Sequence, residues 1–297
     1  MIVPKQTRST GQPTRRPIAQ QVAQHYDELD PFYRALWGEH LHHGLWQAGV
    51  ESAAEATRQL AITVATCARI QPGDAVCDVG TGYGGTARLL AHTYGARVTG
   101  LTLSLAQARY AQRQPMPSDV LPPLYLQADW LANPLPDQHF DAVIAIESTE
   151  HMEDLRGCFA EAWRVLRPGG RLVVCAWLAQ PEATASEVRF LLEPICREGR
   201  LAGMGTAAEY KKLMQAVGFQ VEQVQDVSAQ VRRTWSVAIR RLLVALGSNA
   251  QTWRYLLDAH RGERIFALTV ARLWLAYRVG ALRYGIFTAQ RPQLKEV

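Results

Sequence analysis

The chain has 297 residues, 48% of them hydrophobic and 20% charged, with a formal net charge of +5. That is ordinary globular composition for one α/β core with additions, and it excludes a chain disordered throughout. No stretch reaches the ~20 apolar residues of a membrane span, and the scattered basic residues form no patch interleaved with aromatics, which argues against nucleic acid.

The first 26 residues contain no acid but carry Lys5, Arg8, Arg15 and Arg16. Residues 1–20 are therefore expected to form a flexible basic tail, since Pro4, Pro13 and Pro17 break any helix there; a transit peptide has the same composition. Residues 21–70 precede the first strand, are rich in aromatics and histidine up to about residue 47, and are expected to form an N-terminal cover. Short apolar runs then alternate with helical patterns. Strands are expected at Ala75–Val79, Arg97–Leu101, Leu124–Gln127, Ala142–Ile146, Arg171–Ala176, Gln220–Val224 and Gly285–Ala289. Helices between them include Gly84–His92, Leu105–Gln112, Cys158–Val165 and Ala207–Val217. The alternation predicts a Rossmann-like, doubly wound α/β fold with a seven-stranded, mostly parallel sheet. Residues 178–206 and 228–284 interrupt it. Insertions at loop ends of such a sheet build ligand covers, so both are read as helical lid segments of a single domain spanning 21–297. The five cysteines form no C-x-x-C, and Cys77 and Cys175 lie in apolar runs; buried thiols in a reducing, cytoplasmic setting follow.

The densest local signal is Asp78-Val79-Gly80-Thr81-Gly82-Tyr83-Gly84-Gly85. It follows an apolar strand and opens a helix, where glycines let the backbone turn sharply and approach a ligand. The spacing is G-x-G-x-G, not the G-x-G-x-x-G of dinucleotide sites. Asp78 would repel a pyrophosphate but suits a sulfonium and an ammonium. These details favour S-adenosyl-L-methionine over a nicotinamide, with Asp78, Gly80, Gly82 and Gly84 as cofactor residues. After the second strand come Thr102 and Gln107, with no acid for ribose hydroxyls, so these two take that role; Ser104 reads as a helix N-cap. Asp129 and Trp130 follow the third strand and suit an adenine amino group and ring face; a turn aspartate beside a core tryptophan is the plainer alternative. The fourth strand leads into Glu147-Ser148-Thr149-Glu150-His151-Met152. Glu147 joins the cofactor set. His151 could take a proton from an acceptor, with Glu150 orienting it or acting itself; local packing is the alternative for the histidine.

Together these stations resemble the class I methyltransferases and, more narrowly, the tocopherol methyltransferase family. That family's Trp-Gly-acid-His segment ends in two histidines and a glycine, and here it reads Trp37-Gly38-Glu39-His40-Leu41-His42-His43-Gly44. The glycine loop, the segment after the fourth strand and the turn Leu166-Arg167-Pro168-Gly169-Gly170 match as well, so the likeness runs from Tyr26 to Phe287. Gly100-Leu101-Thr102-Leu103-Ser104 with Gln107, and His25-Tyr26-Asp27, are also similar to cyclopropane fatty acid synthases. The resemblance implies methyl transfer to an O, N or C atom of a small aromatic or lipophilic acceptor, with methylene transfer to a lipid double bond as the alternative. It implies that Tyr26 and Trp46 cover the cofactor. It also implies metal-free chemistry, although His40, His42 and His43 invite a metal reading.

Acceptor liners are sought among Phe190, Leu191, Trp235, Trp253 and Trp274, each of which is otherwise plain lid core. A base is needed only where the acceptor atom is protonated, and His151 or a member of the His40–His43 cluster would supply it. Arg272, Arg278 and Arg283 on an apolar stretch suit either an anionic bilayer surface or a solvated face. The expected partner is a small-molecule acceptor, with peripheral membrane contact as an option and no nucleic acid.

Overall fold

The structure, a computed structural model, describes residues 18–30, 33–34, 38–248 and 263–293. All five residues of β1 (Ala75–Val79) are buried, as expected of a strand covered on both faces. β1 pairs in parallel with β2 (Arg97–Thr102) on one side and β4 (Phe140–Ile146) on the other. β3 (Leu124–Gln127) extends the sheet beyond β2, and β5 (Leu166–Ala179) extends it beyond β4. β7 (Leu282–Gln290) runs antiparallel between β5 and β6 (Gln220–Asp226). The order is β3-β2-β1-β4-β5-β7-β6. The winding reverses between β1 and β4, and this leaves a crevice at the strands' carboxyl ends, where such sheets bind ligands.

Alternate residues of each strand feed two cores. Val76, Ile144 and Val173 pack with Leu60 and Val64 of α2 (Ala53–Ala68) and Leu90 of α3 (Gly85–Tyr94). Cys77, Val143 and Val174 pack with Phe159 of α5 (Leu155–Val165) and Tyr210 of α7 (Ala207–Val217). Cys77 and Cys175 are fully buried, as their apolar runs predict. α4 (Leu105–Arg113) follows β2, and α1 (Ile18–Glu28) packs against it. The later segments hold a π-helical turn (Val188–Leu192) continuing into α6 (Glu193–Glu198), then α8 (Ser228–Val231), α9 (Arg233–Ser248) and α10 (Glu263–Val279).

Several boundaries differ from the sequence reading. Residues 18–20 belong to α1 and not to a tail; residues 1–17 lie outside the described residues. β5 starts at Leu166, because that residue pairs with Phe140 across a register shift. β5 also runs on through Leu178 and Ala179, and β7 begins at Leu282, since the two pair over nine residues from Arg171 to Ala179.

Candidate active site

A cavity of about 230 Å³ opens over the carboxyl ends of β1 to β4. The loop Asp78 to Gly82, Thr102 and Gln107, Asp129 and Trp130, and Glu147 and His151 all line it. Tyr26 of α1 and the segment Glu39 to His42 cover it. Gly80 sits at φ +78°, and its N–H donates to the Leu101 carbonyl at 2.9 Å. Gly82 lines the cavity, whereas Gly84 is the N-cap of α3 and lies against Tyr125, outside the lining.

Asp78 is 3% exposed and accepts a hydrogen bond from the Thr81 hydroxyl at 2.7 Å. Burial pushes its carboxyl up to about 6, against a smaller lowering from Thr81. Among the described residues no Lys or Arg lines this cavity, while Glu39, Asp78, Asp129, Glu147 and Glu153 do. A cavity edged with acids, one of them buried without a cation, fits a ligand bearing a sulfonium and an ammonium. It does not suit a pyrophosphate.

The Thr102 hydroxyl donates to Gln107 Oε1 at 2.7 Å, and Ser104 caps α4 through the Gln107 N–H at 3.1 Å. Asp129 caps the turn Trp130–Ala132, and the Trp130 indole N–H donates to the Cys158 carbonyl at 3.0 Å. Both therefore hold local structure as well as facing the cavity. Asp27, to which the sequence reading gave no role, accepts from the Ser104 hydroxyl at 2.5 Å and the Ala106 N–H at 3.0 Å. It fastens α1 to the start of α4 and so holds Tyr26 over the cavity. A carboxylate one position after Tyr26, facing a helix N-terminus, was the available signal.

Glu147 occupies the seam of the site in a left-handed conformation, φ +54°. Its Oε1 accepts from the His43 backbone N–H (2.7 Å), His43 Nδ1 (3.0 Å) and the Tyr284 hydroxyl (2.7 Å). Its Oε2 accepts from the Trp177 indole at 2.8 Å. The Trp235 indole donates to His43 Nε2 at 2.8 Å. An indole only donates, so His43 accepts at Nε2 and donates from Nδ1. Burial raises the Glu147 carboxyl, but His43 and its hydrogen bonds, with His42, outweigh that and hold it below the ordinary carboxylate range. Both carboxylate oxygens are engaged within the protein.

A second cavity of about 130 Å³ shares Tyr26, Leu41, His42, Glu147 and His151 with the first. Its other walls include Leu29, Trp177, Ile195, Trp235, Val270 and Leu273. His151 stands at the junction. Its Nδ1 donates to the Arg200 carbonyl at 3.1 Å, which leaves the Nε2 lone pair toward the Tyr26 hydroxyl, 3.1 Å away. Burial lowers its pKa below the ordinary 6.5, only partly offset by the Arg200 bond, so the ring is neutral at pH 7. Burial also lowers His25 to about 4 and His40 to about 3.

Glu150 does not orient His151, contrary to the sequence reading. The turn Thr149–His151 throws the two side chains apart. Glu150 Oε1 accepts from the Trp177 N–H at 2.5 Å, and Oε2 lies 3.2 Å from the Thr149 hydroxyl. Burial pushes Glu150 up from 4.5 to about 8 against its hydrogen bonds. A raised carboxyl contributes stability that is present below pH 4.5 and lost as pH rises through 8. Glu150→Gln is therefore expected to be more stable than the native chain by a few kcal/mol at pH 9, with the advantage shrinking to nothing near pH 4.5. Melting temperatures at the two pH values check this, and a pH-independent difference would refute the assignment.

Other expectations are corrected by position. Trp46 donates its indole N–H to the Glu51 carbonyl and lies outside the first cavity. Trp235 lines the second cavity, but Phe190 is 62% exposed, Leu191 is in the core, and Trp274 faces a separate groove. Trp253 and Trp37 lie outside the described residues. His40 Nδ1 and His42 Nε2 are 3.2 Å apart and bond each other. Among the described residues no group of three or more metal-ligating side chains converges.

The sheet order and the acid-edged glycine loop define a class I S-adenosylmethionine-dependent methyltransferase. A family model described as mycolic acid cyclopropane synthetase matches residues 13–255. The 27-O-demethylrifamycin SV methyltransferase of Amycolatopsis mediterranei (strain S699) is 31% identical over 283 residues, 93% of this chain and 99% of that protein. The chloroplastic tocopherol O-methyltransferase of Arabidopsis thaliana is 30% identical over 294 residues, 91% of this chain and 82% of that protein. The crystal structure of a mycolic acid cyclopropane synthase complexed with SAH and CTAB shares the fold, with a TM-score of 0.81, 22% identity, and coverage of 93% of this chain and 99% of that one. The chain belongs to this group of cyclopropane synthetases, tocopherol and sterol methyltransferases, and it transfers methyl groups from S-adenosylmethionine to small molecules.

A Cβ on Gly80 would stand 2.4 Å from the Ser148 Cβ, and its φ is left-handed. Gly80→Ala must therefore shift the loop. It is expected to weaken S-adenosylmethionine binding at least tenfold in calorimetry; unaltered affinity would mean that the loop does not shape the cofactor site.

Proposed function

We propose that this methyltransferase methylates a hydroxyl oxygen of a small aromatic or lipophilic acceptor seated in the second cavity, with His151 as the base. The observation that carries the reading is His151 itself, a neutral ring at the junction of the two cavities whose Nε2 lone pair faces the Tyr26 hydroxyl, a residue that lines both. S-adenosylmethionine, when bound, supplies an electrophilic methyl group. Asp78, Gly80, Thr102, Gln107, Asp129 and Trp130 are the residues proposed to hold it, under the cover of Tyr26. The apolar walls orient the acceptor and exclude water, a contribution that reaches ~7–11 kcal/mol where the reacting atoms are aligned. His151 Nε2 takes the hydroxyl proton as the oxygen becomes nucleophilic, while the Arg200 carbonyl fixes the ring. Glu150, protonated at neutral pH, is not the base. Two relatives support an oxygen acceptor by their names, which specify 27-O-demethylrifamycin SV and tocopherol O-methylation.

The match to the cyclopropane synthetase model favours a second reading, transfer to a lipid double bond. There His151 would take a proton from the added methyl group as the ring closes. A pH profile with a lipophilic phenol tests the primary reading. kcat/KM is expected to stay level as pH falls through 6.5, the ordinary histidine value, and to drop only below it, because burial lowers the pKa of His151. A profile that already falls at or above 6.5 would overturn the assignment.

A further inference from the structure

α9 and α10 turn their inner faces to the acceptor cavity through Trp235, Thr269, Val270 and Leu273. From Leu268 onward the outer face of α10 is apolar. Leu268, Ala271, Leu275 and Val279 recur at helical spacing and are all exposed, Leu268 at 55%, Leu275 at 42% and Val279 at 50%. Beside this stripe runs a groove lined by Arg232, Arg233 and Arg278, with Gln47, Gln230 and Ser236, and among the described residues no acid lines it. Arg278 lies over the Trp274 ring at 5.2 Å, and Arg233 donates to the Gly49 carbonyl. Among the described residues none of the three arginines pairs with a carboxylate. Tyr277 also lines the groove; it is 6% exposed, and among the described residues its hydroxyl has no hydrogen-bond partner. Val50, next to Gly49 at the groove, is 86% exposed. Of the three arginines expected to meet a bilayer, Arg272 pairs with Glu198 and Arg283 lies 3.7 Å from Asp226, so Arg278 is the one this face keeps.

We propose that this face seats the enzyme on an anionic phospholipid bilayer. Arg232, Arg233 and Arg278 take lipid phosphates, and Val50, Leu268, Leu275 and Val279 enter the acyl boundary. Unpaired cations beside exposed aliphatics complement a negatively charged, apolar-cored surface, and neither feature alone would specify one. The seat places the helices that wall the acceptor cavity at the bilayer, where a lipophilic acceptor is dissolved. In that respect the inference rests on the proposed acceptor class, but binding to vesicles is read without turnover, so the two can fail separately.

The test is flotation of the full chain with vesicles of phosphatidylcholine alone or mixed with phosphatidylglycerol, at low and high salt. Binding is expected only to the anionic vesicles and is expected to weaken at high salt. Arg232→Gln/Arg278→Gln should lower the partition about 25-fold, at about fivefold per basic residue. Leu275→Asp/Val279→Asp should abolish binding, while both variants keep native turnover of a water-soluble acceptor. Equal binding to neutral vesicles, or none to either, would overturn the proposal. So would inorganic phosphate raising the melting temperature of a chain that ignores vesicles, which would mark a free-phosphate site. A dimer in sedimentation that the aspartate variant dissociates, with no vesicle binding, would instead assign the face to a second copy.

Discussion

His151→Asn is expected to lower kcat for a hydroxyl acceptor by about 10²- to 10⁴-fold, the range for removal of a positioned base, with the S-adenosylmethionine dissociation constant nearly unchanged. Asparagine still offers a donor to the Arg200 carbonyl, so the turn that positions residue 151 persists, but the variant has no nitrogen that can take a proton. Tyr26→Phe removes only the hydroxyl that faces Nε2 at 3.1 Å and should cost less than tenfold. The acceptor's own chemistry supplies the control. A neutral amine presents its lone pair without losing a proton first, so its methylation should survive His151→Asn. Rapid-quench measurement of one turnover separates the chemical step from product release. A variant that methylates a phenol at native rate would remove His151 from the reaction.

Glu147→Ala should be the most destabilising single change at the site, by about 3–5 kcal/mol, because it strands several buried donors at about 1–3 kcal/mol each and local relaxation recovers only part of that. Four donors would be orphaned: the His43 backbone N–H and Nδ1, the Tyr284 hydroxyl and the Trp177 indole. They reach Glu147 from the N-terminal cover, β7 and β5, and His43 passes the connection on to Trp235 of α9. Against a total stability of ~5–15 kcal/mol that loss is large. Glu147→Gln keeps the shape and most acceptor capacity and should cost less, about 1–3 kcal/mol. Because the folded carboxyl is held below the ordinary 4.5, its contribution is present above pH 4.5 and lost as pH falls through the lowered value. Urea midpoints at neutral pH, with unchanged slope, give the comparison. A loss under 1 kcal/mol would show that the cover, sheet and lid hold together without this carboxylate.

The centre of the sheet was legible because its strands are buried apolar runs, as in β1, whose five residues are all buried, and β4, where six of seven are. The antiparallel placement of β7 was not, since strand direction is decided by which edge the chain returns to and leaves no mark in composition. The glycine loop could be read because a left-handed φ at Gly80 is a local demand that only glycine meets without strain. The His43, Trp177 and Tyr284 partners of Glu147 could not be read, because they lie 104, 30 and 137 positions away in sequence. Adjacency also misled. Glu150 and His151 are neighbours in the chain, but a single turn sends one to the Trp177 backbone and the other to Tyr26 and Arg200. Trp46 shows the same limit, since an indole near a glycine-rich segment can equally anchor a loop, as its bond to the Glu51 carbonyl does.

The most direct test of the central claim is to supply isotopically labelled S-adenosylmethionine with matched lipophilic phenols, amines and unsaturated lipids, and to locate the label by mass spectrometry and NMR. The account predicts an O-methyl product from the phenols, formed by the native chain and lost in His151→Asn. Label found only as a ring carbon in the unsaturated lipids, or only on nitrogen with His151 dispensable, would contradict it.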